Sequence, residues 1–162
     1  MTLAMPHEDA PLVLRSASAD DARQLYAWLN EPDSLAGKLE TAGPVAWDAH
    51  VAWLSARLDV ADCGIWIAER DGRALGQVRA ERKADSRLHV DIYVASHSRG
   101  AGVGLAMLTA LAGECASRWP GEALVARVRS DNGPSRRLFE RAGYALRAQA
   151  PDYAEYVSGG AA

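Results

Sequence analysis

The sequence predicts an α/β fold: a mixed, mostly antiparallel central sheet of about seven strands with helices on both faces. The predicted order is β-α-α-β-β-β-α-β-α-β-β. Three observations predict it. Between residues 64 and 94, the runs GIWIAER, ALGQVRAERK and RLHVDIYV are separated by tight-turn residues and read as an antiparallel meander. SHSRGAGVGLAML, residues 96 to 108, carries glycine at every second position and then turns apolar, which reads as a turn opening a long helix. A second turn-to-helix junction at Asn132 leads, past Gly143, into two more strand-like runs.

The elements follow in order. PLVLRSA, from Pro11, alternates weakly and reads as the first strand. Ser18 and Asp21 form a capping box that starts a helix running to about Asn30. Leu25, Trp28 and Leu29 give that helix an apolar face. NEPDSLAGKLETAGP is a loop punctuated by Pro32, Gly37, Gly43 and Pro44. A second helix, from about Val45 to Leu58, carries Trp47, His50, Trp53 and Leu54. Asp71-Gly72 turns the first hairpin of the meander. A three-residue loop, Ala84 to Ser86, turns the second and pairs Lys83 with Arg87. That register sets Glu81 against His89, Arg79 against Asp91 and Gln77 against Tyr93. The long helix runs from the glycines to about Arg118, where Pro120-Gly121 ends it. EALVARV is a strand. Asn132 starts a helix through about Arg141, which Gly143 closes as a C′ glycine. YALRAQA and YAEYV are the last two strands. Residues 1–162 read as a single domain with a core over about 11–157 and flexible ends at 1–10 and 158–162.

Composition bounds the function classes. The net charge is −3, and no dense run of Lys and Arg offers a footprint for nucleic acid. The apolar runs fall short of the ~20 residues that a bilayer requires, so no membrane partner is expected. MTLAMPHEDA lacks the basic and apolar regions of a signal peptide. The two cysteines, Cys63 and Cys115, lie far apart with no CxxC, so neither a disulfide framework nor a metal site is expected. Each reads as a small buried apolar residue, and a reducing cytoplasm fits.

The glycine stretch has an anion-binding form. The first turn of a helix leaves its N–H groups without partners and gathers partial positive charge. Glycine removes the Cβ atoms that would hold a phosphate away, and Arg99 adds a guanidinium suited to phosphate oxygens. Leu105 follows Gly104 where a nucleotide-hydrolysing loop would place Lys and Ser/Thr. GxGxG in mid-chain, after a meander, also departs from the dinucleotide fingerprint. The loop therefore suits a pyrophosphate that is held and not cleaved, such as that of coenzyme A. The competing reading is a glycine-rich helix start with no ligand.

Two motifs carry a family resemblance. RGAGVG, Arg99 to Gly104, resembles the acetyl-CoA pyrophosphate loop of the GNAT acetyltransferase superfamily, Arg/Gln-x-x-Gly-x-Gly/Ala. NGPSRRLFERAGY, Asn132 to Tyr144, is similar to that superfamily's late segment, and the element order also matches. The resemblance covers about residues 11 to 157. YAWLNEPDS, WDAHVAW and GQVRA further resemble GNAT enzymes that acetylate nucleotide-linked amino sugars in the pathways to pseudaminic-type nonulosonic acids.

The resemblance implies acetyl-CoA as co-substrate and no metal. The pantetheine arm would lie along the strand ending at Val94 and pair with backbone groups of Ile92, Tyr93 and Val94. Arg99, Gly100, Ala101, Gly102, Val103 and Gly104 would take the pyrophosphate. Asn132 and Ser135 would close the far side of the slot. The second helix would border the acceptor site. Trp47, His50 and Trp53 share roughly one face of it, as core or as an acceptor surface.

Strand alternation places Gln77, Arg79, Glu81, His89, Asp91 and Tyr93 on one polar face. That face is either a set of cross-strand pairs, Arg79–Asp91 and Glu81–His89, or an acceptor pocket with Asp91 or His89 as base and Arg79 toward an acceptor phosphate. One departure stands out. Where many GNAT enzymes place a tyrosine as general acid, the span reads Leu138-Phe139-Glu140. That leaves water, Tyr144 or Tyr93 to protonate the departing thiolate.

The expected activity is direct acetyl transfer from acetyl-CoA to a primary amine of a small-molecule acceptor, an amino sugar favoured. The alternatives are a peptide or ribosomal-protein amine, another small amine, or a non-catalytic acyl-CoA-binding module. The exposed last strands would permit a homodimer.

Overall fold

A computed structural model describes residues 10–32 and 43–159. Most of the loop expected after Asn30, nearly all of the expected N-terminal end and residues 160–162 lie outside the described residues. The strands are β1 Val13–Ser16, β2 Cys63–Arg70, β3 Arg73–Arg82, β4 Leu88–Val94, β5 Leu124–Arg129, β6 Tyr144–Gln149 and β7 Tyr153–Ser158. The described α-helices are α1 Ala22–Leu29, α2 Trp47–Ser55, α3 Val103–Arg118 and α4 Gly133–Arg141. Short 3-10 turns at Ala19–Asp21 and Ser96–Ser98 precede α1 and the glycine stretch.

Local chemistry accounts for most element boundaries. The Ser18 side chain accepts from the Asp20 N–H, and Asp21 accepts from the Ser18 N–H at 2.8 Å, so the capping box forms. Asp71 and Gly72 both hold positive φ, at 52° and 73°, as a two-residue hairpin turn requires. In the second hairpin Ser86 takes φ 66°, and Lys83 N–H donates to the Arg87 carbonyl at 3.0 Å. The β3–β4 register is the expected one: Gln77↔Tyr93, Arg79↔Asp91 and Glu81↔His89. Helix α2 is shorter than expected at both ends, with Ala46 as its extended N-cap and the Arg57 and Leu58 N–H groups donating to the Leu54 carbonyl just past its last residue.

The seven strands form one sheet in the order β1-β2-β3-β4-β5-β7-β6. Every neighbouring pair is antiparallel except β4–β5. Helices cover both faces. On one, Met107, Leu111 and Cys115 of α3 and Phe139 of α4 pack against Val78, Ala80 and Leu88. On the other, Leu25, Trp28 and Leu54 from α1 and α2 pack against Cys63, Ile65 and Ile67. Strand β2 is buried over Cys63–Ala68, which explains its near-continuous apolar run. Both cysteines are free and buried, and burial pushes the Cys115 thiol up to about 12. Among the described residues no helix is long and apolar enough to cross a membrane, and no group of acidic, His or Cys side chains is placed to hold a metal.

Candidate active site

The site is opened by a failure of pairing. Strands β4 and β5 share only Leu88↔Leu124 and His89↔Val125. Beyond His89, β4 stays paired to β3 as far as Val94, while β5 stays paired to β7 as far as Arg129. The two parallel strands therefore splay toward their carboxyl ends, and among the described residues the facing edge of β4 has no strand neighbour from Val90 on. Each of these ends leads into a helix, α3 or α4, and the first residues of both helices line the gap. A crevice at the carboxyl ends of diverging parallel strands is where open α/β sheets bind ligands. Here it is a cleft of about 1690 Å³, larger than the roughly 300–1,000 Å³ of ordinary small-ligand pockets.

The glycines at the mouth of α3 divide into two roles. Gly100 and Gly102 hold φ 85° and 74°, and a Cβ added at either would meet nothing within 4 Å. The backbone there is left-handed and faces open space, as a phosphate cradle needs. Gly104 differs: an added Cβ would come within 3.1 Å of Leu138 Cδ2, so this glycine lets α3 and α4 approach. Arg99 lines the cleft, and its Nε donates to the Val94 carbonyl at 3.0 Å, closing off the end of β4. Across the gap, Asn132 caps α4 by accepting from the Ser135 N–H at 3.2 Å. Asn132 and Ser135 both line the cleft, as do Ile92, Tyr93, Val94, Val103 and Gly104. Ala101 does not.

On the α1–α2 side all six side chains of the polar face line the cleft, except that Tyr93 is also buried against Trp28. Their hydrogen bonds are not the direct cross-strand pairs. Gln77 Nε2 donates to Asp91 Oδ2 at 2.9 Å. His89 Nε2 meets Asp85 Oδ2, from the hairpin loop, at 2.9 Å. Glu81 accepts from Arg57 Nε at 2.6 Å and lies 3.4 Å from Lys83 Nζ. Burial works against the Glu81 charge, but Arg79, Arg57 and Lys83 together hold its carboxyl below the usual range. The Arg79 guanidinium stacks on Trp53, 4.9 Å from the ring centre. The Tyr93 hydroxyl donates to Glu31, and burial together with that carboxylate pushes it upward.

Three expected site residues stand elsewhere or act differently. Tyr144 is 7% exposed, packed edge-on against Phe139 at 5.1 Å in the α3–α4 core, and does not line the cleft. It cannot reach a thiolate held there. Trp47 is 38% exposed on the outer side of α2, against Tyr26 and Arg23, and also lies outside the cleft. His50 reaches the cleft wall but is 2% exposed, and its Nε2 lies 3.0 Å from the Ala22 carbonyl oxygen. A carbonyl only accepts, so Nε2 carries the proton and ties α2 to α1. Sequence reasoning missed Arg57, Glu31 and Asp85. Arg57 stands four residues after Trp53, a helical spacing that would have placed it beside that ring, 4.5 Å away. Glu31 and Asp85 sit in turns, where periodicity carries no signal.

The fold and the cleft together define an acyltransferase of the GNAT type. The family model for the acetyltransferase (GNAT) domain matches residues 11–145. The chain belongs to the GNAT acetyltransferase family. None of the curated proteins compared matches it. Among solved structures it is similar to a spermidine N-acetyltransferase (SpeG) chimera from Vibrio cholerae and hSSAT, at 14% identity and a TM-score of 0.79, covering 92% of this chain and 95% of that one. It is similar to aminoglycoside acetyltransferase AAC(6')-Ib in complex with coenzyme A and kanamycin, at 18% identity and a TM-score of 0.75, covering 90% and 92%. It is also similar to RimL, a ribosomal α-N-protein acetyltransferase in complex with coenzyme A, at 15% identity and a TM-score of 0.77, covering 94% and 95%. At these identities the likeness is one of fold.

Proposed function

We propose that this chain transfers the acetyl group of acetyl-CoA directly to a primary amine of a small acceptor. The observation that carries the reading is the β4–β5 splay, with the open-space backbone of Gly100 and Gly102 at its mouth. That backbone fits a pyrophosphate, and the unpaired edge of β4 fits an extended amide chain. Bound acetyl-CoA supplies an activated thioester. The protein's own residues do the rest. Amides at the start of α3 bind the diphosphate, the β4 edge over Ile92 to Val94 aligns the pantetheine arm, and α4 with Asn132 and Ser135 closes the far wall.

The amine enters from the α1–α2 side. It must lose a proton to attack, and His89 and Asp91 are the groups placed to take it. Strand rise puts Asp91 about 10 Å and His89 about 17 Å from Val94, so the proton reaches His89 along a chain of waters on the polar face. We assign the base to His89. The Asp85 carboxylate holds its Nε2 at 2.9 Å and supports the ring when it carries the extra proton. Arg57 and Lys83 already occupy the Glu81 carboxylate, which removes it from this role. With Tyr144 in the core and Tyr93 turned to Glu31, water protonates the thiolate.

The acceptor class is a small amine. The similar structures are named for spermidine, kanamycin and ribosomal protein amines, and support the wider reading better than a nucleotide-linked amino sugar. Two buried thiols suit a reducing cytoplasm. The test is thiol release from acetyl-CoA across a panel of polyamines, amino sugars, amino acids and peptides. Saturable acetyl-CoA binding with no thiol release from any amine would reverse the reading in favour of a binding module.

A further inference from the structure

We infer that the acceptor carries an oxyanion, a carboxylate or a phosphate, beside its amine, and that Arg79 with Trp53 is the element that binds it. The inference rests on the cleft being the acceptor site. Arg79 Nε is buried and has no hydrogen-bond partner among the described residues. A buried guanidinium nitrogen without a partner is costly and calls for an acceptor. The carboxylate nearest in charge effect, Glu81, is already used: Oε2 takes Arg57 Nε at 2.6 Å and Oε1 faces Lys83 Nζ at 3.4 Å. Asp91, opposite Arg79 in register, accepts from Gln77. Asp85 is held by Arg87 and His89.

Three cations, Arg57, Arg79 and Lys83, thus act on the carboxylate of Glu81. Two of them flank a single indole, at 4.5 Å for Arg57 and 4.9 Å for Arg79. Stacking on Trp53 fixes the plane of the Arg79 guanidinium, which limits the entropy lost when a planar or tetrahedral oxyanion binds. Both side chains line the cleft. An incoming oxyanion would add an acceptor for Arg79, whereas a polycation would meet its guanidinium first. The amine of the same molecule would then lie along the polar face toward Asp91.

Matched amine pairs test this: glucosamine against glucosamine 6-phosphate, and 4-amino-1-butanol against 4-aminobutyrate, followed by thiol release. The expected result is about 10- to 100-fold higher kcat/KM for the anionic member of at least one pair, the scale of one charge-assisted hydrogen-bonded contact. Which pair responds tells phosphate from carboxylate. Arg79→Gln should erase that preference, lowering kcat/KM for the anionic member far more than for the neutral one with acetyl-CoA KM unchanged, and Arg79→Lys should keep part of it. Calorimetric titration of inorganic phosphate into coenzyme A-saturated protein should show binding that Arg79→Gln removes. Equal use of both members in both pairs, or a preference that survives Arg79→Gln, overturns the inference and leaves the acetyltransferase reading standing. If no amine is turned over, that reading fails, and the phosphate titration alone decides the role of Arg79: no heat in the wild type overturns it.

Discussion

His89 Nε2 lies 2.9 Å from Asp85 Oδ2, a contact made between a strand of the meander and the loop that turns it. The loop is fixed by its own chemistry. Asp85 Oδ1 accepts from the Arg87 N–H at 2.9 Å, and Ser86 takes the left-handed conformation. That backbone bond, with His89 next, holds the Asp85 carboxyl well below the usual carboxylate range, so it stays charged beside the imidazole. His89→Gln should lower kcat by about 10²- to 10⁴-fold, the usual worth of a general base, with acetyl-CoA KM unchanged. An unchanged kcat would move the base to Asp91, and Asp91→Asn would then show the loss.

Gly102→Val should raise the acetyl-CoA Kd by tenfold or more with a modest loss of stability. The added side chain enters the space in front of the α3 amides, and a left-handed residue costs about 1–2 kcal/mol in strain. Calorimetry gives the affinity and thermal unfolding the stability. An unchanged Kd would displace the pyrophosphate from this loop.

His50→Ala should act on the fold. The ring is buried, bridges to the Ala22 carbonyl and lies nearly parallel to Trp53, at 15°. Losing its bond and volume should cost about 2–3 kcal/mol, roughly 5–10 °C in Tm. Thermal unfolding should show that drop. Acceptor and acetyl-CoA KM should move together, since neither substrate is singled out.

Glu155 sets an acid-side limit on stability. It is 7% exposed and bonds Arg87 at 2.8 Å and Arg127 at 3.0 Å. Arg87, then the partly opposing burial, then Arg127 leave its carboxyl below the usual glutamate range. A carboxyl lowered in the folded state contributes fully above the unfolded value, about 4.3. The contribution is lost as pH falls through the lower folded value. Glu155→Gln should reduce stability at pH 7 by about 1–2 kcal/mol, since its partners are some 40% exposed and screened. It should also flatten the fall in Tm below about pH 4.3, as read by unfolding at a series of pH values.

The meander, both hairpin turns, the register across β3 and β4, and the helix starts at Ser18, Gly102 and Asn132 were legible in the chain. Each depends on residues within a few positions: a side-chain period of two, a left-handed turn residue, a cap. The glycine turn proposed for the pyrophosphate was legible as a helix start for the same reason, since its glycines and its helix are contiguous. The placements of Tyr144, Trp47 and His50 were not. On a short helix or a strand end, a ring's direction depends on which neighbour it packs against, and Phe139, Tyr26 and Ala22 come from other elements.

The sequence by itself therefore determined the elements, their order, the family and the polar face of the meander, because these follow from local backbone chemistry. Only the tertiary structure decided how far β4 and β5 stay together, that β7 inserts between β5 and β6, and which partners the polar face takes. Those outcomes depend on contacts between segments far apart in the chain. Helix α2 brings Arg57 to Glu81 and Trp53 to Arg79, and α1 ends where Glu31 meets Tyr93. No spacing along the chain encodes such meetings, and they are what turn a row of alternating polar residues into a cleft wall with a guanidinium nitrogen left to satisfy.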